Sequence, residues 1–143
     1  MPTIDQSLII PFTQRQMFDL VNDVASYPSF LPWCGGVAVQ HMEENKLKAR
    51  VEIRFMGVES FFSTVNQNTP CERIDMQYED GPFKAMHGVW QFLALGEEAS
   101  KISFRLEYEF ASKALAMVIG PVFHAITRRF VESFRLEAER RYA

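Results

Sequence analysis

Patterns that carry chemistry are scarce in this chain, and each absence removes a class of function. Its two cysteines, Cys34 and Cys71, lie far apart, with no C-x-x-C pair and no histidine at ligand spacing. Neither a zinc site nor a disulfide framework is indicated, and both read as reduced thiols. No Ser-His-Asp arrangement, glycine-rich phosphate loop or metal-ligand cluster is visible, so no metal or other cofactor is expected. Lys and Arg total 15 against 18 Asp and Glu, and this balance does not support a general affinity for DNA or other nucleic acid, which depends on neutralising phosphates. The opening residues, Met1 to Asp5, lack the charged-then-apolar design of a signal peptide and the Arg-rich design of a transit peptide. A cytoplasmic, bacterial-type protein is the expectation. Two stretches lack all four charged residue types. Val24 to Met42 contains Pro28, Pro32, Gly35 and Gly36, which lipid would not tolerate in a spanning helix, and Ala114 to Thr127 is short for a crossing.

What is abundant is bulky apolar material. Hydrophobic residues make up 48% of the 143, aromatics 13%, and there are 13 Phe, more than packing alone requires, so part of it is expected to line a cavity. This length suits one domain, placed at 1–143. Ile4, Gln6, Leu8 and Ile10 share one side of a first strand, which Pro11 ends. Thr13 and Gln16 have capping-box spacing ahead of Met17, Phe18, Leu20, Val21 and Val24, predicting a helix over 14–25.

From Gly36 the period changes to 2. Leu47, Ala49, Val51, Ile53 and Phe55 alternate with charged residues, and the pattern returns at Ile74 to Tyr78, at Trp90 and Phe92, and at Ile102 to Phe110. Turn signals at Glu44-Asn45, Met56-Gly57, Thr69-Pro70, Asp80-Gly81-Pro82 and Gly96 to Ser100 leave room for hairpins and none for crossover helices. An antiparallel meander of about six strands plus the N-terminal one follows. After Phe110 the stripe Leu115, Ile119, Val122, Phe123, Ile126, Phe130 and Phe134 predicts a helix from about Ser112 to Tyr142, kinked at Gly120-Pro121. The fold class is therefore α+β: a curved antiparallel sheet of six to seven strands gripping one long C-terminal helix, with an apolar pocket between them.

This order of elements resembles the START-like superfamily, and within it the coenzyme Q-binding and ribosome-association-toxin family. The residues that carry the resemblance run over nearly the whole chain: Tyr27-Pro28-Ser29-Phe30-Leu31-Pro32-Trp33-Cys34, Asp80-Gly81-Pro82-Phe83-Lys84, Gly88-Val89-Trp90-Gln91-Phe92, Tyr108-Glu109-Phe110 and Pro121-Val122-Phe123. The resemblance implies a helix-grip fold and one of two roles: binding of ubiquinone in support of respiration, or binding of the large ribosomal subunit as the toxin of a toxin-antitoxin pair. The quoted motifs do not separate these branches.

An enzyme on this plan would need an acid or base inside the pocket. The inward strand positions offer only the phenols of Tyr78 and Tyr108, while His41, His87 and His124 fall at strand ends or off the helix stripe. Catalysis is accordingly disfavoured, and the expected ligand is a hydrophobic small molecule, a polyprenyl quinone, held by Phe30, Trp33, Phe55, Tyr78, Phe83, Trp90, Phe123, Ile126 and Phe130 as a bound ligand rather than a redox cofactor. Met117 and Val118 project off the helix stripe and suit contact with a membrane surface, a lipid tail or a partner. Arg128, Arg129, Arg140 and Arg141 are the candidate ribosome-facing residues, unless pairs such as Arg128 with Glu132 and Arg135 with Glu139 neutralise that face.

Overall fold

The computed structural model describes residues 2–142. Strand β1 (Thr3–Ile10) leads into α1 (Gln14–Asn22) through the expected capping box: Gln16 N–H donates to Thr13 Oγ1 at 3.0 Å, and Thr13 N–H donates to Gln16 Oε1 at 2.9 Å. The helix ends earlier than the predicted residue 25. Asp23, at ψ 66°, leaves helical geometry, and a 3-10 segment, Val24–Ser29, carries the chain through Tyr27-Pro28.

Six strands then follow as a meander: β2 (Cys34–His41), β3 (Lys46–Phe55), β4 (Val58–Thr69), β5 (Arg73–Asp80), β6 (Phe83–Ala94) and β7 (Ser100–Phe110). All pairings are antiparallel, and β1 joins the far edge, giving the order β1-β7-β6-β5-β4-β3-β2. The turns lie where the sequence signals them, with positive φ at Asn45, Met56, Gly57, Cys71, Gly81 and Gly96. Phe55 pairs with Val58, so Met56-Gly57 is a two-residue hairpin loop with both central residues left-handed. Register shifts at Cys34/Gly36, Ser63/Thr64 and Phe83/Ala85 mark bulges, which add twist and curve the sheet. At the second of these, Gly81 has φ 142°, and a Cβ there would stand 2.8 Å from the Phe61 carbonyl oxygen, so no larger residue fits the turn.

The concave face wraps the C-terminal helices. Inward residues Leu47, Ala49, Val51 and Ile53 of β3, Trp90 and Phe92 of β6 and Ile102, Phe104 and Leu106 of β7 are buried against Ile119, Val122, Phe123, Ile126, Val131 and Phe134. Instead of one long helix there are two, α2 (Lys113–Thr127) and α3 (Phe130–Tyr142), bent by 40°. The break falls at Arg128-Arg129 and not at Gly120-Pro121. Proline removes the amide that would bond to Met117 carbonyl, yet Pro121 is exposed and Met117 is 79% exposed, so water can serve that carbonyl and the helix runs on.

The cause of the real break is a side chain from the other end of the chain. Gln6 Nε2 donates to Thr127 O at 2.8 Å and Arg128 O at 3.3 Å, while Gln6 Oε1 accepts from Val131 N–H at 3.3 Å. Thr127 O and Val131 N–H would bond to each other in a continuous helix, and the Gln6 amide stands between them.

Candidate functional site: an apolar cavity with one polar wall

The cavity lies between the concave sheet face and the helix pair. Its floor is Ala49, Val51 and Ile53 of β3, Ile74 and Met76 of β5, Met86 and Trp90 of β6 and Phe104 and Leu106 of β7. Phe123 and Ile126 of α2 and Phe130 of α3 close it from above, and Val21, Val24, Tyr27 and Trp33 from the side. Its volume is about 60 Å³, room for a few waters, whereas pockets that enclose a drug-sized ligand run to roughly 300–1,000 Å³. A large guest therefore requires the helices or the 3-10 segment to move away from the sheet.

Among the described residues, no Asp, Glu, Lys, Arg or His lines this space. The one phenol on the wall, Tyr27, donates its hydroxyl to the Val21 carbonyl, and burial, reinforced by Asp23 and Cys34, pushes its pKa far above the usual phenol range. The Cys34 thiol is pushed up by burial and points at Gly36 O, 3.6 Å away, so it is no activated nucleophile. His41 and His124 are exposed, and His87 lies on the outer face of β6. No three of His, Cys, Asp and Glu among the described residues come together to hold a metal.

Of the nine residues expected around a ligand, Trp33, Trp90, Phe123, Ile126 and Phe130 stand on the cavity wall. The other four do not. Phe30 packs edge-on to Tyr27 and Phe134, at 5.9 and 5.4 Å between ring centres, under the Arg141 guanidinium. Phe55 is half-buried beside the β3–β4 hairpin, off the wall. Tyr78 and Phe83 belong to a second aromatic cluster with Tyr108, Phe110 and Phe123, in which Phe83 N–H donates to Tyr78 Oη at 3.0 Å. That cluster fills the end of the sheet where the cavity stops.

The polar part of the wall does not follow from the hydrophobic periodicity of the sequence. β4 turns Thr64, Asn66 and Asn68 inward, and Asn22 at the end of α1 and Thr127 at the end of α2 join Thr64 and Asn66 on the cavity surface. The signal available was the inward set of the strand after Met56-Gly57, where polar residues fall at period 2.

The four arginines do not form one basic surface. Arg140 and Arg141 both bond to Glu137, at 2.6 Å each, and Arg141 also approaches Asp23 at 3.5 Å. The Arg140 guanidinium, helped by Arg141, holds the buried Glu137 carboxyl down to about 2. Arg135 pairs with Glu139 as expected, and also takes Glu132, the residue expected to pair with Arg128. Arg128 and Arg129 sit exposed at the helix break, without an ion pair among the described residues.

The chain is 41% identical to the ribosome association toxin RatA of Vibrio cholerae, over 99% of both chains, and 37% identical to that of Escherichia coli K12, over all of this chain and 90% of the relative. It is 26% identical to a mitochondrial coenzyme Q-binding protein, COQ10 homolog B of Xenopus laevis, over 96% of this chain and 58% of that protein. Among solved structures, the Zhui aromatase/cyclase of a Streptomyces species shares the fold at a TM-score of 0.83 and 16% identity, covering 99% of this chain and 96% of that one. An 18 kDa Caulobacter crescentus protein has a TM-score of 0.74 at 27% identity, covering 98% and 97%. The family model described as polyketide cyclase / dehydrase and lipid transport matches residues 10–135. With that match over a curved seven-stranded sheet closed by C-terminal helices, the chain belongs to this family of START-like, helix-grip proteins.

Proposed function

We propose that this protein binds a hydrophobic ligand of the polyprenyl quinone class between its sheet and its helix pair and does not transform it. The observation that carries this reading is the lining: apolar and aromatic side chains from nearly every element converge on one space with no charged group among the described residues. Such a space offers buried area to an isoprenoid, at about 25 cal/mol per Å² before ordering costs, and offers no proton donor or acceptor for acid-base chemistry. Coenzyme Q binding in the name of the Xenopus relative points the same way. Exposed Met117 and Val118 at the start of α2 suit peripheral contact with a bilayer from which the ligand is taken up. No single helix among the described residues is long and apolar enough to cross a membrane; α2 and α3 qualify only as a bent pair, and their apolar stripe is buried in the core.

A second reading, association with the large ribosomal subunit, is favoured by the names of relatives that match this chain over almost its full length. Its contact would centre on Arg128 and Arg129, because Arg140 and Arg141 are engaged by Glu137. One preparation tests both. Protein purified without detergent and extracted with organic solvent is expected to release a near-stoichiometric isoprenoid quinone in the mass spectrometer. An empty extract from folded protein, together with salt-sensitive cosedimentation with ribosomes that Arg128→Glu and Arg129→Glu abolish, would replace the first reading with the second.

A further inference from the structure

A cavity built only for packing has no use for amides. On the concave side of β4, Thr64, Asn66 and Asn68 are 2%, 6% and 9% exposed, and each is harder to bury than the valine or leucine that would fill the same volume. Their hydrogen bonds form two short links. Thr64 Oγ1 donates to Asn66 Oδ1 at 2.8 Å, and Asn68 Nδ2 donates to Asn22 Oδ1 at 2.9 Å. Capacity is left over: Asn68 Oδ1 is buried without a partner, and Asn66 Nδ2 finds no protein acceptor among the described residues. Thr64, Asn66 and Asn22 stand on the cavity wall beside Thr127, whose hydroxyl is already given to the Phe123 carbonyl.

We infer that Asn22, Thr64 and Asn66 form the headgroup site of the ligand and take a neutral group bearing a carbonyl or a hydroxyl, while Asn68 is a positioning residue that holds the Asn22 amide in place. The inference rests on the hydrophobic-ligand reading above and adds to it the end of the cavity at which the polar group sits. Carboxylates, phosphates and amines are excluded by physics, since no lining side chain would compensate a buried charge. With Asn22 fixed by Asn68, a half-turn of the Asn66 carboxamide, the Thr64 hydroxyl changing from donor to acceptor, exchanges the group shown to the ligand with the heavy atoms nearly in place. The wall therefore serves a ring carbonyl or the hydroxyl that replaces it on reduction, and oxidised and reduced ligand bind alike. The tail then runs along Trp90, Phe104 and Phe123.

The chain's two tryptophans, Trp33 and Trp90, both line the cavity, so ligand entry can be read in intrinsic fluorescence. Wild type, Thr64→Val, Asn66→Leu and Asn68→Leu are titrated with a benzoquinone carrying a decyl tail, with decylbenzene and with decanoate. Each variant is expected to bind the quinone roughly tenfold more weakly and decylbenzene as well as or better than wild type. Thr64→Val and Asn66→Leu each delete one end of the buried Thr64–Asn66 hydrogen bond, so both are expected to melt a few degrees lower than wild type, and retained decylbenzene binding shows that the cavity stays folded. Decanoate is expected to bind poorly throughout. Variants that keep wild-type affinity for the quinone, or lose quinone and decylbenzene together, would overturn the headgroup site while leaving ligand binding intact. A wild type that takes up neither neutral compound would instead overturn the hydrophobic-ligand reading itself.

Discussion

Replacing Gln6 by leucine removes three hydrogen bonds at the helix break and adds no steric load. Of these, the 2.8 Å bond to Thr127 O contributes about 1 kcal/mol net, and the two at 3.3 Å less. The larger cost is what remains: Val131 is 1% exposed, and its amide loses its acceptor in an interior where an unmet donor costs roughly 1–2 kcal/mol. The expected destabilisation is about 2 kcal/mol. Urea unfolding followed by tryptophan fluorescence should show a lower midpoint at unchanged slope, and the melting temperature should fall by about 6 °C for a chain of this length. Hydrogen exchange at the Val131 amide should accelerate in step. Gln6→Glu is an internal control, because it keeps the acceptor for Val131 but turns the donor into an oxygen facing Thr127 O; its deficit should shrink as acid protonates the new carboxyl. A Gln6→Leu variant within 0.5 kcal/mol of wild type would refute the assignment of the break to this side chain.

Glu137 has a depressed pKa in the folded state, so its contribution is complete above the unfolded value of 4.5 and is lost as pH falls toward about 2. Glu137→Gln should therefore be less stable than wild type by up to about 3 kcal/mol near neutral pH, with the gap closing between pH 4.5 and 2 in thermal melts across pH. Met56 occupies a left-handed position at φ 53° in a two-residue hairpin loop and is exposed, so Met56→Asn should stabilise by about 0.5–1 kcal/mol, read as a higher urea midpoint.

The strands that alternate cleanly are legible in the sequence. β3 and β7 place charged residues outside and aliphatic or aromatic ones inside, and both faces were assigned correctly from Leu47 to Ile53 and from Ile102 to Leu106. β4 was legible only as a gap between turn signals. Its inward residues are Thr64, Asn66 and Asn68, so hydrophobic periodicity is blind to the one strand whose polar residues face the cavity. Tyr78 is expected at the ligand as an inward phenol and Phe83 as the aromatic at the rim after the Asp80-Gly81-Pro82 turn, yet aromatic rings at strand ends find one another first. The helix break was hidden for another reason. Proline is a local signal and marked the wrong turn, whereas the interrupting amide comes from a residue more than a hundred positions away. The same break separates Arg128 from Glu132, which is why that pair does not form and Glu132 turns to Arg135.

The reach of Gln6 also bears on how the molecule comes into being during synthesis. β1 pairs with β7, Ile4 opposite Leu106; Gln6 meets Thr127 and Val131; and the Tyr142 hydroxyl donates to Gln16 O at 3.2 Å. A nascent chain can form the β2 to β7 hairpins in order as they emerge, each from neighbours in sequence. It cannot close its core until residue 142 is free to turn back onto α1. Until then the concave face, with Trp90 and Phe104 uncovered, is held open to solvent or to any factor waiting at the tunnel mouth, and folding ends in a single late step rather than by accretion.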